Sequence, residues 1–430
     1  MRRFLGIFMT VALTASMLVG CGQSAAAPAA APAAEATEAA DDAEATEEAA
    51  EPATTEEPVS LQGVKAGFIF LHDENSTYDL NFLNGAKAAC EAMGVEYLTK
   101  TNIPEGQECY EAACDLADQG CTFIFADSFG HEDYMIQAAK EYPNVQFCHA
   151  TGTKAHTEGL ANFHNAFASI YEGRYLAGIA AGMKLNEMIE AGTITADEAK
   201  MGYVGAFTYA EVVSGYTSFY LGAKSVCPTV TMEVTFTGSW YDETAEKEGA
   251  NKLIENGCVL ISQHADSMGA PTACETAGVP DVSYNGSTVA ACPNTFIVSS
   301  RINWAPYFEM AIQNTMDGTA IPTDYVGTIA TGSVQLTDLG TAAAAGTQEA
   351  IDAAKAELEA GTLHVYDINN FTVNGAKLES YQADVDSDAE FQPDHEVITD
   401  GYFNESGDGL RSAPYFDVRI DGISLLDEAY

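Results

Sequence analysis

Several short segments of the sequence combine aromatic side chains with hydrogen-bonding side chains, and each follows or lies near a stretch that is typical of a β-strand. Such a mixture suits the binding of a flat, uncharged polar ring, because aromatic faces stack on the ring while carboxylates and hydroxyls bond to its edge. Asp127 and Asp266 are the acceptors expected to contact ring nitrogens or hydroxyls. The segments are 72–78, 127–130, 206–207, 238–241 and 263–267.

The same residue types also have structural uses, and their spacing does not predict a metal site. A strand-end aromatic can belong to a core, and a strand-end aspartate can cap the next helix. His264 and Asp266 lack further ligands at the spacing that zinc requires. The aspartates of segment 384–388 are spaced as in a calcium loop, but Ala389 stands where glycine is needed and His395 where a bidentate glutamate is needed. That segment is interpreted as a solvated acidic loop.

The sequence contains no motif that predicts catalysis. There is no Gly-x-Ser-x-Gly elbow, no phosphate-binding P-loop and no dinucleotide-binding Gly-x-Gly-x-x-Gly. The formal net charge of −45, from 63 acidic and 18 basic residues, repels nucleic acid and disfavours phosphorylated ligands. We therefore expect no enzymatic activity, no cofactor, no metal and no nucleic-acid partner.

The N-terminal region has the features of an export signal. Arg2 and Arg3 precede the apolar stretch 4–19, so residues 1–20 are predicted to be a signal peptide. The stretch ends in Leu-Val-Gly-Cys, which is typical of a bacterial lipobox and predicts a lipid on Cys21; the alternative is an ordinary signal peptide with a chance cysteine. The protein is thus expected at the outer side of the cell membrane.

The segment that follows differs in composition from the rest of the chain. Residues 21–60 are mainly Ala, Pro, Thr and Glu, cannot bury a core, and are predicted to form a disordered acidic tether behind the lipidated cysteine. The nine other cysteines contain no Cys-x-x-Cys pair and no even number for a full disulfide framework. Most of them are expected to be buried free thiols.

From residue 61 onward, short apolar stretches alternate with helical patterns, which predicts an α/β fold with parallel sheets. A first series has strands at 64–71, 95–98, 122–126 and 145–149, with helices at 80–93, 110–119 and 133–141. A second series has helices at 169–183, 212–226, 243–255 and 270–276, with strands at 200–205, 231–236, 259–262 and 296–298. Helices at 307–316 and 348–360 complete two doubly wound lobes with a cleft between them.

The lobe boundaries follow from these two series. The bilobed domain is predicted over 61–430, with lobe 1 at about 61–166 and 302–328, and lobe 2 at about 167–301 and 329–379. The tail 380–430 is predicted to pack on lobe 2, with a strand at 416–420, where apolar and polar residues alternate.

Residues 62–379 resemble the basic membrane protein family of ABC-transporter solute-binding lipoproteins, the group that includes the purine nucleoside receptor. The segments that carry the resemblance are Phe125–Gly130, His149–Gly152, Tyr171–Gly178, Trp240–Asp242 with Glu248, Gln263–Ser267 and Asn303–Tyr307. The resemblance implies a type I periplasmic-binding-protein fold, closure of the lobes by a hinge, docking on an ABC permease, and a purine nucleoside or nucleobase as ligand.

The resemblance also implies roles for individual residues. Tyr78 matches a stacking aromatic of the first lobe, and Phe207 and Trp240 match those of the second. Asp127 and Asp266 match the two acids. The remaining expected ligand contacts are Ser128, Phe129, Ser267, Trp304 and Asn75. Asn75 takes the place of an acid that grips ribose hydroxyls, which leaves a free base or another heterocycle open.

Three alternatives stay open. The first is a binding protein for riboflavin or another flat heterocycle. The second is an exported nucleoside hydrolase, which would need a carboxylate cluster that holds calcium or activates water. The third is a sensory or adhesive lipoprotein with a similar cleft.

Overall fold

A computed structural model describes residues 63–385, 395–406 and 410–430. The predicted signal peptide 1–20, the tether 21–60, Cys21 and most of the acidic segment 384–389 lie outside these ranges. Within the described part of the chain, no helix has the length and apolar character needed to cross a membrane. The nine cysteines from Cys90 to Cys292 are free thiols, and all except Cys114 are buried, which confirms the interpretation of their role.

The first half of the domain alternates strands and helices, and its strands are buried on both faces. Phe68, Phe123 and Phe125 lie in one core cluster, whereas Ile69 and Ile124 lie in another on the opposite face of the sheet. Parallel sheets covered on both faces have such continuous apolar strands. The elements are β1 (Lys65–Ile69), α1 (Thr77–Met93), β2 (Glu96–Lys100), α2 (Gln107–Asp118), β3 (Phe123–Ala126), α3 (Glu132–Glu141), β4 (Gln146–Ala150), α4 (Ala155–Glu158) and β5 (Phe163–Ala168).

The second half repeats this alternation. Helices α5 and α6 pack closely because glycines meet backbone: a Cβ on Gly178 would lie 2.1 Å from the Phe219 carbonyl oxygen, and one on Gly222 2.0 Å from that of Tyr175. The elements are α5 (Ile170–Glu190), β6 (Lys200–Gly205), α6 (Ala210–Val226), β7 (Thr231–Phe236), α7 (Glu243–Glu255), β8 (Leu260–His264), α8 (Gly269–Ala277), β9 (Asp281–Tyr284) and β10 (Phe296–Ile302).

The remaining elements return to both sheets. They are α9 (Ala305–Asp317), β11 (Asp324–Gly327), β12 (Val334–Leu336), α10 (Thr347–Glu359), β13 (Gln382–Ala383), β14 (His395–Glu396), β15 (Ile398–Thr399), β16 (Tyr402–Phe403) and β17 (Ile423–Leu425). Strand β11 pairs with β5 in the first sheet, whereas β12 pairs with β10 and β17 pairs with β7 in the second.

The described residues form two large sheets with the same internal strand order. The first runs β11-β5-β4-β3-β1-β2 and the second β12-β10-β9-β8-β6-β7-β17. All of their pairs are parallel except β10 with β12. The predicted α/β fold with two doubly wound parallel sheets is therefore confirmed. In each sheet the order reverses between the first and third strand of its series, which is where open α/β sheets bind ligands.

Some sequence-predicted elements differ from the structure. Helix α1 begins at Thr77 rather than at residue 80, because the Ser76 side chain accepts a hydrogen bond from the Asp79 backbone nitrogen and caps the helix. Strands β5, β9, β11 and β12 were missed, since none of them is a long apolar run. The predicted strand at 416–420 is wrong. Its apolar side chains are buried alternately, and Phe416 stacks on Tyr366 at 4.2 Å, but the segment has no ladder partner.

Candidate functional site

A cavity with about 380 Å³ of empty space lies between the carboxyl ends of the strands of the two sheets. The first sheet contributes the residues after β1, β3 and β4, and the second contributes residues at or after the ends of β6, β7, β8 and β9. The lining consists of Leu71, His72, Tyr78, Ser128, Phe129, Thr151, Glu211, Trp240, His264, Asp266 and Tyr284.

Direct hydrogen bonds hold the two lobes together beside this cavity. The Asp266 carbonyl oxygen accepts from the Thr77 backbone nitrogen at 3.2 Å and from the Thr77 hydroxyl at 3.3 Å. The Asn81 side-chain nitrogen donates to the Asn285 carbonyl oxygen at 2.7 Å. Because Thr77 and Asn81 belong to α1 and their partners follow β8 and β9, the structure represents a closed arrangement of the lobes.

Tyr78 forms part of the first-lobe wall, and its ring is fixed at both ends. The hydroxyl donates to the Asp127 carbonyl oxygen at 2.8 Å, and the ring packs edge-on against Phe82 at 4.8 Å between centroids. Because these contacts already hold the ring in place, stacking a ligand on it costs little conformational entropy.

Asp127 lies behind this wall rather than in it. It is fully buried, and its Oδ1 accepts from the Leu71 backbone nitrogen at 3.1 Å. Burial, together with the neighbouring Asp79 carboxylate, raises the pKa of Asp127 well above its usual range. The Asp79 pKa is lowered although its own burial opposes this, because His72 and Ser76 donate to it. The bond from Leu71 to Asp127 holds the ends of β1 and β3 together.

Asp266 is the acid that reaches the cavity. Its backbone nitrogen donates to the Trp240 carbonyl oxygen at 3.0 Å, and its Oδ1 accepts from the Asn285 side chain at 3.1 Å. Burial first, and then the nearby Glu246 carboxylate, raises the pKa of Asp266 well above its ordinary value. A ligand that donates hydrogen bonds relieves the cost of burying such a carboxyl.

The second-lobe wall rests on an aromatic cluster. Phe207 meets the Trp240 ring edge-on at 5.2 Å and stacks on Tyr209 at 5.1 Å, while Phe129 of the first lobe lies 6.0 Å from Tyr209. Phe207 is not itself a lining residue; it supports Trp240. Aromatic faces thus approach the cavity from both lobes.

Several lining residues were not among the expected ligand contacts, although His72 and His264 lie in the segments 72–78 and 263–267 that the sequence singled out. His264 lies 4.1 Å from the Tyr284 ring and 3.4 Å from Glu211 Oε1, and burial lowers the pKa of His264. Their position at strand ends is the signal that would have identified them, although Tyr284 ends a strand that the sequence pattern does not predict. The missed residues are Leu71, His72, Thr151, Glu211, His264 and Tyr284.

The fully buried Arg174 lies behind the second-lobe wall. Its guanidinium donates to the Tyr203 hydroxyl at 2.8 Å and to the Ser262 hydroxyl at 2.9 Å. Its charge is therefore used to hold strands β6 and β8, and the lining itself includes acids and histidines without a lysine or arginine.

Besides Asp127 and Phe207, three more of the expected ligand contacts lie away from the cavity lining. Asn75 is exposed and donates to Asp73 at 2.8 Å. The buried Ser267 donates through its backbone nitrogen to Glu246 at 3.2 Å, and its hydroxyl accepts from the Gly269 backbone nitrogen. Trp304 is 2% exposed and stacks on Phe82 at 4.4 Å, within the core of the first lobe. In each case the side chain that was expected to face ligand contacts neighbouring protein residues instead.

No group of three or more metal-ligating side chains is arranged to hold an ion within the described ranges. The chemistry that the lining offers is therefore stacking from Tyr78 and Trp240 and hydrogen-bond acceptance by Asp266 and Glu211.

Comparison with known proteins identifies relatives of the chain. Residues 70–357 match the family described as ABC transporter substrate-binding protein, PnrA-like. The chain is 31% identical over 261 residues to a purine-binding protein of Brucella abortus, a match that covers 60% of this chain and 70% of that relative. It is 34% identical over 217 residues to a putative ABC transporter glucose-binding protein of Haloferax volcanii, covering 50% of this chain and only 52% of that relative.

Solved structures establish the fold independently. A solute-binding protein of an ABC transporter system from Conexibacter woesei superposes with a TM-score of 0.58 at 19% identity, covering 70% of this chain and 98% of that one. A corresponding protein from Aeropyrum pernix gives 0.59 at 17% identity, covering 70% and 92%. The expected type I periplasmic-binding-protein fold is confirmed.

Proposed function

Because the chain belongs to the PnrA-like family of ABC transporter substrate-binding proteins, we propose that it captures a purine nucleoside or nucleobase outside the cell and delivers it to a membrane ABC importer. The family relationship supports solute binding and cooperation with a permease. The purine-binding relative supports the ligand class. The observation that carries the proposal is the lining of the cavity between the lobes.

That lining suits a flat ring without negative charge. Tyr78 and Trp240 approach from opposite lobes and supply aromatic faces, and each stacked base contributes about 1–3 kcal/mol. Asp266 and Glu211 supply acceptors for ring N–H and hydroxyl groups. Histidines and a tyrosine provide further bonding partners, whereas a phosphate would meet two carboxylates.

The ligand class is tested by a thermal-shift panel of purine nucleosides, purine bases, riboflavin and glucose. A ligand present at a hundred times its dissociation constant adds about 2.7 kcal/mol to the unfolding free energy. We expect a shift with purines alone. Chromatography of the recovered nucleoside separates binding from hydrolysis, since a hydrolase would release free base. A shift with riboflavin or glucose but with no purine would overturn the proposed ligand.

We also propose that Cys21 carries lipid and that residues 21–60 tether the binding domain to the outer face of the membrane. The sequence motif before Cys21 supports this proposal. Cys21→Ser is expected to move the protein from the membrane fraction of the expressing cells to a soluble fraction. Retention of the variant in the membrane fraction would contradict lipidation at this residue.

A further inference from the structure

The C-terminal end of the chain crosses from one lobe to the other outside the region that matches the family. That match ends at residue 357. Residues 410–430, here called the C-terminal strap, bond to both sheets. The Ser412 backbone nitrogen donates to Asp324 Oδ1 of β11 at 2.9 Å, and Thr208, after β6, exchanges hydrogen bonds of 2.7 and 2.8 Å with Ala429. Arg419 donates to the Tyr216 hydroxyl of α6 at 2.7 Å.

The strap forms one wall of a second space beside the ligand cavity. This outer compartment has about 880 Å³ of empty space. Its other walls are the loops after β3 and β4 and the start of α6. Phe129, Thr151, Glu211 and Trp240 line both spaces, so the outer compartment adjoins the inner cavity. The strap contributes Arg411, Ala413, Pro414 and Asp417.

The polar groups of the outer compartment are mainly acceptors. Glu211 and Asp417 bring carboxylates, and Thr151 and Thr153 bring hydroxyls. Arg411 is already engaged: its Nη2 donates to the Pro414 carbonyl oxygen at 3.2 Å, its Nη1 lies 3.9 Å from Asp384, and it lies over the Tyr415 ring at 5.7 Å. The Asp417 carboxylate accepts a hydrogen bond from the Tyr381 hydroxyl, and with two carboxylates against one guanidinium that is paired with Asp384 the lining is net negative.

We infer that the ligand site has two compartments and that the C-terminal strap supplies the outer wall, which selects solutes whose flat ring carries a hydroxyl- or amino-bearing substituent and rejects those with an anionic one. This inference rests on the proposed function, because the ring is assigned to the inner cavity. A substituent that projects from the ring would pass Trp240 and Glu211 and meet Pro414 and Asp417 of the strap.

The inference is tested by filling the outer compartment from its two opposite walls. Ala210→Trp fills it from α6 and Pro414→Trp from the strap, while Ala354→Trp on α10, half-buried and outside both spaces, is the matched control. Calorimetry with adenine, adenosine and adenosine monophosphate gives the affinities. We expect the ratio of adenosine to adenine affinity to fall at least tenfold in Ala210→Trp and Pro414→Trp, and to change less than twofold in the control.

A charge variant that keeps the shape of the strap provides the second readout. Asp417→Asn is expected to raise the affinity for adenosine monophosphate relative to adenosine about threefold, since it removes a repelling carboxylate. The strap does not select the ligand if Pro414→Trp leaves the ratio of adenosine to adenine affinity within twofold of wild type. The same conclusion follows if Asp417→Asn leaves the ratio of adenosine monophosphate to adenosine affinity unchanged. If the wild type binds none of the three compounds, the proposed function fails as well.

Discussion

The two tryptophans of the chain occupy different surroundings, although both follow strands and both were predicted to touch ligand. Trp304 is 2% exposed and lies against Phe82, Phe125, Phe167, Tyr307 and Phe308. Trp240 is half-buried, has Phe207 on one side and borders the cavity on the other. One ring thus belongs to the core of the first lobe, and the other has one side at the cavity.

The cause of the difference is the element that follows each residue. Trp304 immediately precedes α9, which packs on α1, and a Cβ on Gly85 of α1 would come within 2.8 Å of the Trp304 Cβ. Trp240 lies in the turn between β7 and α7, where its ring is only partly buried. A tryptophan beyond a strand therefore lines a cavity only where the next element leaves its ring uncovered.

The largest expected effect is on stability, in Trp304→Ala. Removing a buried tryptophan from a packed core costs about 3–5 kcal/mol, so the variant should unfold at much lower denaturant concentration than wild type. Trp240→Ala should lose less than about 1 kcal/mol, because its ring is only partly buried. Equal losses in chemical denaturation of the two variants would break the comparison between the residues.

The next largest effect is on ligand affinity, which substitution of Trp240 is expected to lower more than substitution of Trp304. Trp240→Ala removes one stacking face and should weaken purine binding by about 1–3 kcal/mol, which is about fivefold to more than a hundredfold. Trp304→Phe keeps an aromatic ring in the core and should change affinity less than twofold. Calorimetric titration of both variants measures this, and a larger loss in Trp304→Phe would assign ligand contact to the wrong tryptophan.

Asp266→Asn separates an effect on ligand affinity from an effect on stability at a single residue. The substitution keeps an acceptor for Asn285 but removes a buried carboxyl that lies near Glu246 and Asp79. We expect purine affinity to fall about tenfold, or about 1.4 kcal/mol, while the melting temperature of the empty protein stays equal or rises. A variant that binds as tightly as wild type would show that this acid does not contact ligand.

A buried acid far from the cavity lining, Glu405, gives the pH dependence of stability. Burial raises its pKa to about 8, so the folded state holds a proton that the unfolded state has released above its ordinary pKa of 4.5. Stability from this group is therefore complete at low pH and is lost as pH rises toward 8. Between pH 6.5 and 8, wild type should lose about 1–2 kcal/mol more unfolding free energy than Glu405→Gln. Parallel pH curves would contradict this assignment.

The buried histidines do not obscure the change in stability between pH 6.5 and 8. Burial lowers the pKa of His131 and His149 to about 4, so their effect has the opposite sign and falls between pH 4 and 6.5. Burial also raises the pKa of Glu172 and of Glu246 to about 7, so above pH 6.5 the contribution of Glu405 is the difference between wild type and Glu405→Gln.

The sequence was sufficient to predict the fold because the signal is repeated: apolar strands and amphipathic helices alternate through two similar series. It was less informative about short strands such as β9, whose buried Asp281 and Ser283 do not resemble an apolar run. For the site, the strand-end rule located Tyr78, Ser128, Phe129, Trp240 and Asp266 in the lining. It did not distinguish Trp304 or Asp127, because helix α1, which lies against Trp304, and the Asp79 carboxylate come from elsewhere in the chain.

The most direct test of the account follows the fluorescence of Trp240 alone. In Trp304→Phe, Trp240 is the remaining tryptophan of the chain, and titration with adenosine or guanosine should give a saturable change in its emission. The same titration of Trp240→Phe, in which Trp304 remains, should give little change. A saturable response from Trp304 with none from Trp240, or purine binding that alters neither, would contradict the location of the purine between the two lobes.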